Sequence, residues 1–136
     1  MPLTQIFCLI PAGDSIVTDR LYTAIAAGCL PVVISPVLPG AYPHILNYSR
    51  FWTVVSVKAF TRHPTALIEQ LRAVPAAEVA RRQRAMHSLR ADLLFNVPGS
   101  RVATNFVRTV AATKCFRSIG REPGGGGGPR QKKQPK

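Results

Sequence analysis

Residues 5–35 decide the architecture: Gln5-Ile6-Phe7-Cys8-Leu9-Ile10-Pro11-Ala12-Gly13-Asp14-Ser15-Ile16-Val17-Thr18-Asp19-Arg20-Leu21-Tyr22-Thr23-Ala24-Ile25-Ala26-Ala27-Gly28-Cys29-Leu30-Pro31-Val32-Val33-Ile34-Ser35. Gln5 to Ile10 is a short apolar run of β-formers, closed by Pro11. Such a run without polar alternation suits a strand buried on both faces, as in a parallel sheet. A polar, Gly13-containing stretch follows, with three candidate helix caps in Ser15, Thr18 and Asp19. Arg20 to Ala27 reads as a helix with Leu21, Ala24 and Ile25 on one face, and Gly28 supplies its stop. Leu30 to Ser35 is a second buried strand whose proline lies near its start, where strands tolerate one. The order is strand, glycine-containing loop, helix, glycine, strand: a βαβ unit. Ligands of such sheets bind at the carboxyl ends of the strands, beside the following helix N-terminus. Here that place is Pro11–Arg20.

Outward from this unit, residues 36–50 hold Pro36, Pro39, Gly40 and Pro43 and read as loop. Phe51 to Val57 is a third strand candidate, and Tyr48, Phe51 and Trp52 are read as core. A helix starting at Pro64 carries Leu67, Ile68, Leu71 and Val74 at helical spacing. A longer helix starts at Pro75 and runs to about Phe95, with proline at its first position and Glu78 in its first turn. Its buried stripe is expected to be Val79, Met86, Leu89 and Leu93. Arg81, Arg82, Arg84 and Arg90 then form a solvated face, with an acidic glycan or phosphate partner as the sharper alternative. A last helix, Arg101–Thr113, would bury Val102, Phe106 and Val110. From Lys114 the pattern ends in five glycines and a basic, proline-containing tail, so 1–113 is expected to be the folded domain and 114–136 a disordered tail.

The 136 residues suit one domain. The formal charge of +12 is unevenly placed. Residues 1–113 hold 11 basic and 5 acidic side chains, net +6, while 114–136 hold 7 and 1, also net +6. The high pI therefore owes much to the tail, which lacks aromatic interleaving, and no specific nucleic-acid recognition is expected. No charged residue lies between Arg20 and Arg50, but five prolines or glycines from Gly28 to Gly40 interrupt any spanning helix. No transmembrane segment and no signal peptide are expected. Cys8, Cys29 and Cys115 are an odd number without zinc spacing, and buried inert thiols are the expectation. His44, His63 and His87 lie at no metal spacing and are read as surface residues.

The string Phe7-Cys8-Leu9-Ile10-Pro11-Ala12-Gly13-Asp14-Ser15, followed by Arg20-Leu21 and Gly28-Cys29-Leu30-Pro31-Val32-Val33-Ile34-Ser35, resembles the exostosin-like glycosyltransferases of glycosyltransferase family 47. Their pattern is approximately FCLxPxGDSxxxxRLxDAIxxGCIPVIISD. The resemblance covers roughly residues 5–95 and is most specific up to Ser35. It implies an α/β, Rossmann-like, C-terminal nucleotide-sugar-binding half of a GT-B enzyme, a parallel sheet flanked by helices. It further implies inverting transfer of a sugar, from a UDP-linked donor, to a glycan or glycoprotein acceptor in the Golgi membrane. No cofactor is implied, the nucleotide sugar being a substrate, and no metal ligands are assigned.

Carried over position by position, the resemblance makes Gly13, Asp14, Ser15 and Arg20 donor-binding residues. The chemistry agrees, because a diphosphate needs backbone amides at a helix N-terminus and a fixed cation against the leaving group's charge. Ser15 and Thr18 supply hydroxyl donors, and Arg20 a bidentate clamp. Thr23 stands where the family has an acid, Pro36 where an acid often follows the second strand, and Ala12 where arginine is frequent. Thr23 is thus a hydrogen-bonding substitute without charge. No catalytic residue is assigned. The N-terminal domain that would supply the acceptor site is not in the sequence, so the chain is expected to be a fragment, inactive alone. The rival readings are a non-catalytic remnant, a basic binding module for anionic polymers, and an unrelated phosphate-binding α/β module.

Overall fold

The computed structural model describes residues 5–12, 19–35 and 40–113. Three strands, β1 (Phe7–Pro11), β2 (Leu30–Ile34) and β3 (Thr53–Val55), form a parallel sheet in the order β1-β2-β3. The first helix, α1 (Asp19–Ala27), connects β1 to β2, so the expected βαβ unit is present. Register aligns Ile10, Val33 and Val54 across the sheet, and Leu9, Val32 and Thr53 in the neighbouring row. The main core gathers Ile10, Leu30 and Val33 with Leu21, Ala24 and Ile25 of α1, the three expected helix positions. Gly28 adopts φ +78°, the left-handed conformation that ends α1 and that side chains disfavour.

β2 is buried along its whole length, whereas β1 is not. β1 pairs with β2 alone among the described residues, and Ile6 and Leu9 are about half exposed. The two-sided burial expected of the first run is therefore corrected. A continuous apolar run fixes the strand but not its place at an edge. Pro11 also ends up inside β1 rather than after it, since an edge strand tolerates a missing amide donor.

Cys8 and Cys29 are joined in a disulfide across a sequence separation of 21. This corrects the expectation of inert thiols. Parallel register sets Phe7 opposite Leu30, which brings the β1 cysteine beside the one just before β2 at a Cα separation of 5.7 Å. That spacing is normal for a disulfide. Cys115 lies outside the described residues.

The third strand is shorter than its apolar run. Tyr48–Arg50 forms a 3₁₀ turn capped by Asn47, and Phe51 leaves it buried at 1% exposure. At the other end, the Ser56 hydroxyl accepts a hydrogen bond from the Ala59 amide and caps α2 (Val57–Arg62). A good N-cap here outweighs the β-propensity of Val57. Tyr48 is buried, stacks on Trp52 at 4.7 Å between ring centroids and packs against Phe51 at 5.6 Å. The expected aromatic core is thus present.

α3 (Pro64–Arg72) begins on its proline as expected but buries only Leu67, leaving Ile68 exposed. The expected long helix is two, α4 (Ala76–Ser88) and α5 (Arg90–Leu93), interrupted at Leu89. Pro75 is the cap rather than the first helical residue. Met86 and Leu93 are buried, while Val79 and Leu89 pack against the core partly exposed. Glu78 accepts hydrogen bonds from Arg81 and Arg82, and Arg82 also donates to the Thr53 hydroxyl of β3. Those two guanidiniums hold the Glu78 carboxyl down to about 2.

α6 (Val102–Ala112) departs most from its pattern. Val102 is buried, but Phe106 is 59% exposed and the buried residue between them is Asn105. A polar anchor explains this. Arg101 donates to both oxygens of the buried Asp92, at 2.7 and 2.5 Å, and the Asn105 amide donates to Asp92 Oδ1 at 2.9 Å. These contacts select the face of α6 that turns inward. The Arg101 hydrogen bonds hold the Asp92 carboxyl below its ordinary value, with Asn105 assisting and burial opposing. A carboxyl depressed in the folded state stabilises the fold above the ordinary carboxylate range and loses that contribution as pH falls through it. Chemical denaturation at stepped pH is accordingly expected to show a flat midpoint from neutrality to about pH 5, then a decline below about pH 4. Asp92→Asn should flatten that decline and cost about 2 kcal/mol at neutral pH.

Candidate functional site

The carboxyl ends of β1 and β2 and the first turn of α1 meet at one corner. The Ala12 amide donates to the Ile34 carbonyl at 3.2 Å, so the pairing runs one step past the strands. Arg20 lies exposed in the first turn of α1, with Thr23 exposed one turn further on. Spacing of three puts both on one side of the helix. Asp19 is also in this first turn. Gly13, Asp14, Ser15 and Thr18, the other expected donor-binding residues, lie outside the described residues, as does Pro36. Of the six expected positions, Arg20 and Thr23 are therefore the two brought together here.

Three tyrosines, read in the sequence as core or passed over, hold the segment after β2. The Ala41 amide donates to the Tyr22 hydroxyl at 3.1 Å, and the Tyr48 hydroxyl donates to the Ala41 carbonyl at 2.8 Å. Both backbone groups of Ala41 are thus held by phenols. Burial pushes the Tyr22 and Tyr48 hydroxyls above their ordinary pKa, so they stay neutral donors and acceptors. Tyr42 takes φ +55° and donates its hydroxyl to the Val102 carbonyl at 3.1 Å. A tyrosine in the left-handed region is costly and persists only where its surroundings fix it.

Tyr22 and Tyr42, with Phe95, Asn96 and Arg90, line a cavity of about 500 Å³ between α1, the segment after β2 and the segment after α5. Its wall is mostly apolar with a few polar groups, the usual make-up of a small-molecule site. Sequence reading missed these residues because Phe95 and Asn96 come from a distant segment, with no spacing that links them to Tyr22. Phe95, at 73% exposure, is an aromatic left uncovered beside the cavity.

Among the described residues, no group of three or more His, Cys, Asp or Glu is placed to hold a metal ion. His44, His63 and His87 are exposed, as expected. Among the same residues, no helix is long and apolar enough to cross a membrane.

Residues 3–71, beginning just before β1 and ending in α3, match the exostosin GT47 domain. The chain belongs to the exostosin GT47 family. Its similarity to curated relatives from Arabidopsis thaliana extends further along the chain. It is 29% identical over 99 residues to the probable arabinosyltransferase ARAD1, covering 73% of this chain and 22% of the relative. It is 31% identical over 120 residues to the probable glucuronoxylan glucuronosyltransferase IRX7, covering 86% of this chain and 26% of the relative. The probable glycosyltransferase At3g07620 is 31% identical over 97 residues, 70% of this chain and 19% of its own length. The chain thus spans about a quarter or less of these relatives. The resemblance carried by Phe7–Ser15 and Gly28–Ser35 is borne out, and with it a glycosyltransferase-family domain.

Proposed function

We propose that this exostosin GT47 chain is the Rossmann-like, C-terminal-type half of a GT-B glycosyltransferase, with residues 1–113 as its domain. It binds a nucleotide sugar, UDP-linked, for transfer to a glycan or glycoprotein acceptor. The observation that carries this reading is the exposed Arg20 in the first turn of α1, the helix that connects two parallel strands in a βαβ unit. A helix N-terminus favours an anion, and a guanidinium adds paired N–H donors for phosphate oxygens. Gly13, Asp14, Ser15 and Thr18 complete the diphosphate cradle, and Thr23 offers a hydroxyl.

In the transfer, an acceptor hydroxyl forms a bond to the anomeric carbon as the bond to the diphosphate oxygen breaks. Negative charge collects on the departing nucleotide, and Arg20 and the cradle amides stabilise it there. A base takes the acceptor hydroxyl's proton as the new bond forms, and no residue of this chain is assigned that role. The Cys8–Cys29 disulfide favours an oxidising compartment, in keeping with the Golgi lumen.

Isothermal titration with UDP tests the assignment. Binding of UDP by the parent, weakened about tenfold or more in Arg20→Ala, is the expected outcome. Equal affinity in the two proteins would remove Arg20 from the site. Absence of UDP binding by the parent would remove the nucleotide-sugar reading itself.

A further inference from the structure

The last helix of the described residues carries its apolar surface outward. In α6, Ala103, Phe106, Val107, Val110 and Ala111 recur at the i, i+3, i+4, i+7, i+8 spacing that makes one face of a helix. That face is open: Phe106 is 59% and Val107 64% exposed, Ala103 and Ala111 are exposed, and Val110 is half-buried. The inner face is a different set, Val102, Asn105 and Thr109, held to the fold by the Asn105 amide on Asp92 at 2.9 Å. An ordinary surface helix turns its apolar stripe to the core and its polar residues to water. Here the arrangement is reversed, and a contiguous apolar face left in water marks a contact surface.

Charge indicates what covers it. α6 holds no carboxylate, and Arg108 stands beside the open face. From the cap at Thr113 the sequence runs straight into residues 114–136, with seven basic side chains and one acidic. Helix and basic segment both lie beyond the stretch that matches the family. A second copy of the chain is a poor occupant, because two bodies of formal charge +12 repel. A surface that is anionic outside and apolar beneath satisfies both features at once.

We propose that α6 and the basic segment after it form a membrane-surface contact, with α6 lying in the plane of a bilayer that carries anionic lipid headgroups. Phe106 and Val107 enter the boundary between headgroups and acyl chains, and the basic side chains of 114–136 meet the headgroup charge. Eleven residues make a helix of about 16 Å, which lies along a bilayer and does not cross one. Neither element suffices alone, since one small apolar contact gives marginal, reversible attachment and stable anchoring takes a second signal. The covalent link at Thr113 keeps the basic side chains near the surface once α6 has docked, so two weak contacts act together. This attachment is independent of nucleotide-sugar binding at Arg20.

Cosedimentation of the full chain with vesicles tests the proposal. One set is phosphatidylcholine alone, the other a two-to-one mixture of phosphatidylcholine and phosphatidylserine. Binding to the mixed vesicles, falling with added salt, and little binding to phosphatidylcholine alone are expected. Phe106→Gln/Val107→Gln, at two exposed positions, should weaken the binding about tenfold or more. Lys132→Gln/Lys133→Gln/Lys136→Gln should weaken it to a similar degree, about tenfold or more. Circular dichroism checks that each variant folds as the parent does. Phe106→Trp keeps the face apolar and gives a second readout: its added indole emission shifts to the blue on the mixed vesicles and is quenched by lipids brominated high in the acyl chain. No binding to the mixed vesicles, equal binding to phosphatidylcholine alone, or parent-like binding by either multiple variant overturns the proposal. An unshifted Phe106→Trp emission on bound vesicles does so too, because the basic segment would then adhere without α6. If soluble polyglutamate is bound as tightly as the mixed vesicles, the surface belongs to an acidic protein and the membrane assignment falls.

Discussion

The Cys8→Ala/Cys29→Ala double variant is expected to unfold about 3 kcal/mol below the parent in equilibrium denaturation under non-reducing conditions. The bond links positions 21 apart in sequence. In the unfolded chain it therefore removes the entropy of a loop of roughly that size. Within this loop lie α1, Arg20 and the whole connection from β1 to β2. Without the link, β1 is held to the fold by pairing with β2 and by the burial of Ile10, with Leu9 half exposed. Alanine is chosen because Cys29 is almost fully buried, and a serine hydroxyl there would add a desolvation cost unrelated to the cross-link. The parent in excess reductant should show the same loss, and the double variant should be insensitive to reductant. A difference under about 1 kcal/mol would mean that packing at Ile10 and Val33 already fixes β1.

Gly40→Ala is the second large effect, about 3 kcal/mol, and its cause is purely steric. A Cβ at position 40 would lie 2.2 Å from Tyr48 Cζ and 2.3 Å from Cε2. Relief requires the ring to move, and Tyr48 is held on several sides. It is 4% exposed, stacked on Trp52, packed on Phe51, and tied through its hydroxyl to the Ala41 carbonyl. Overpacking against a fixed core group costs about 1–3 kcal/mol, and contact this short belongs at the upper end. A double-mutant cycle isolates the clash. Tyr48→Leu is destabilising alone, yet Gly40→Ala added to it should cost under about 1 kcal/mol, giving a coupling of about 2 kcal/mol. Additive losses would show that Gly40 matters for some other reason. Thermal unfolding followed by circular dichroism gives all four values.

The βαβ unit was legible because each of its parts had a local cause. Leu21, Ala24 and Ile25 recur at helical spacing, Gly28 punctuates, and Leu30–Ile34 is too apolar for a surface. What escaped the sequence depended on partners remote in the chain. The disulfide needed the β1–β2 register, which no cysteine spacing reveals. Asn105 displaced Phe106 from the core because Asp92, thirteen residues earlier, waited for a donor. Val57 left the third strand because the Ser56 hydroxyl found the Ala59 amide, a local signal that an apolar run concealed. The candidate site divides in the same way. Arg20 and Thr23 followed from a contiguous motif, whereas the cavity wall of Tyr22, Tyr42 and Phe95 comes from three separated segments and has no motif at all.

The half-covered first strand has a consequence for anyone preparing this chain. Among the described residues its outer margin meets no other strand, and it displays Ile6 and Leu9 rather than lysines or a bulge. Margins of that kind are templates for adhesion between molecules, which natural proteins ordinarily blunt with charge. Crowded preparations will stick along this border first, and a polar graft at position 9 is the natural remedy because that side chain already meets solvent.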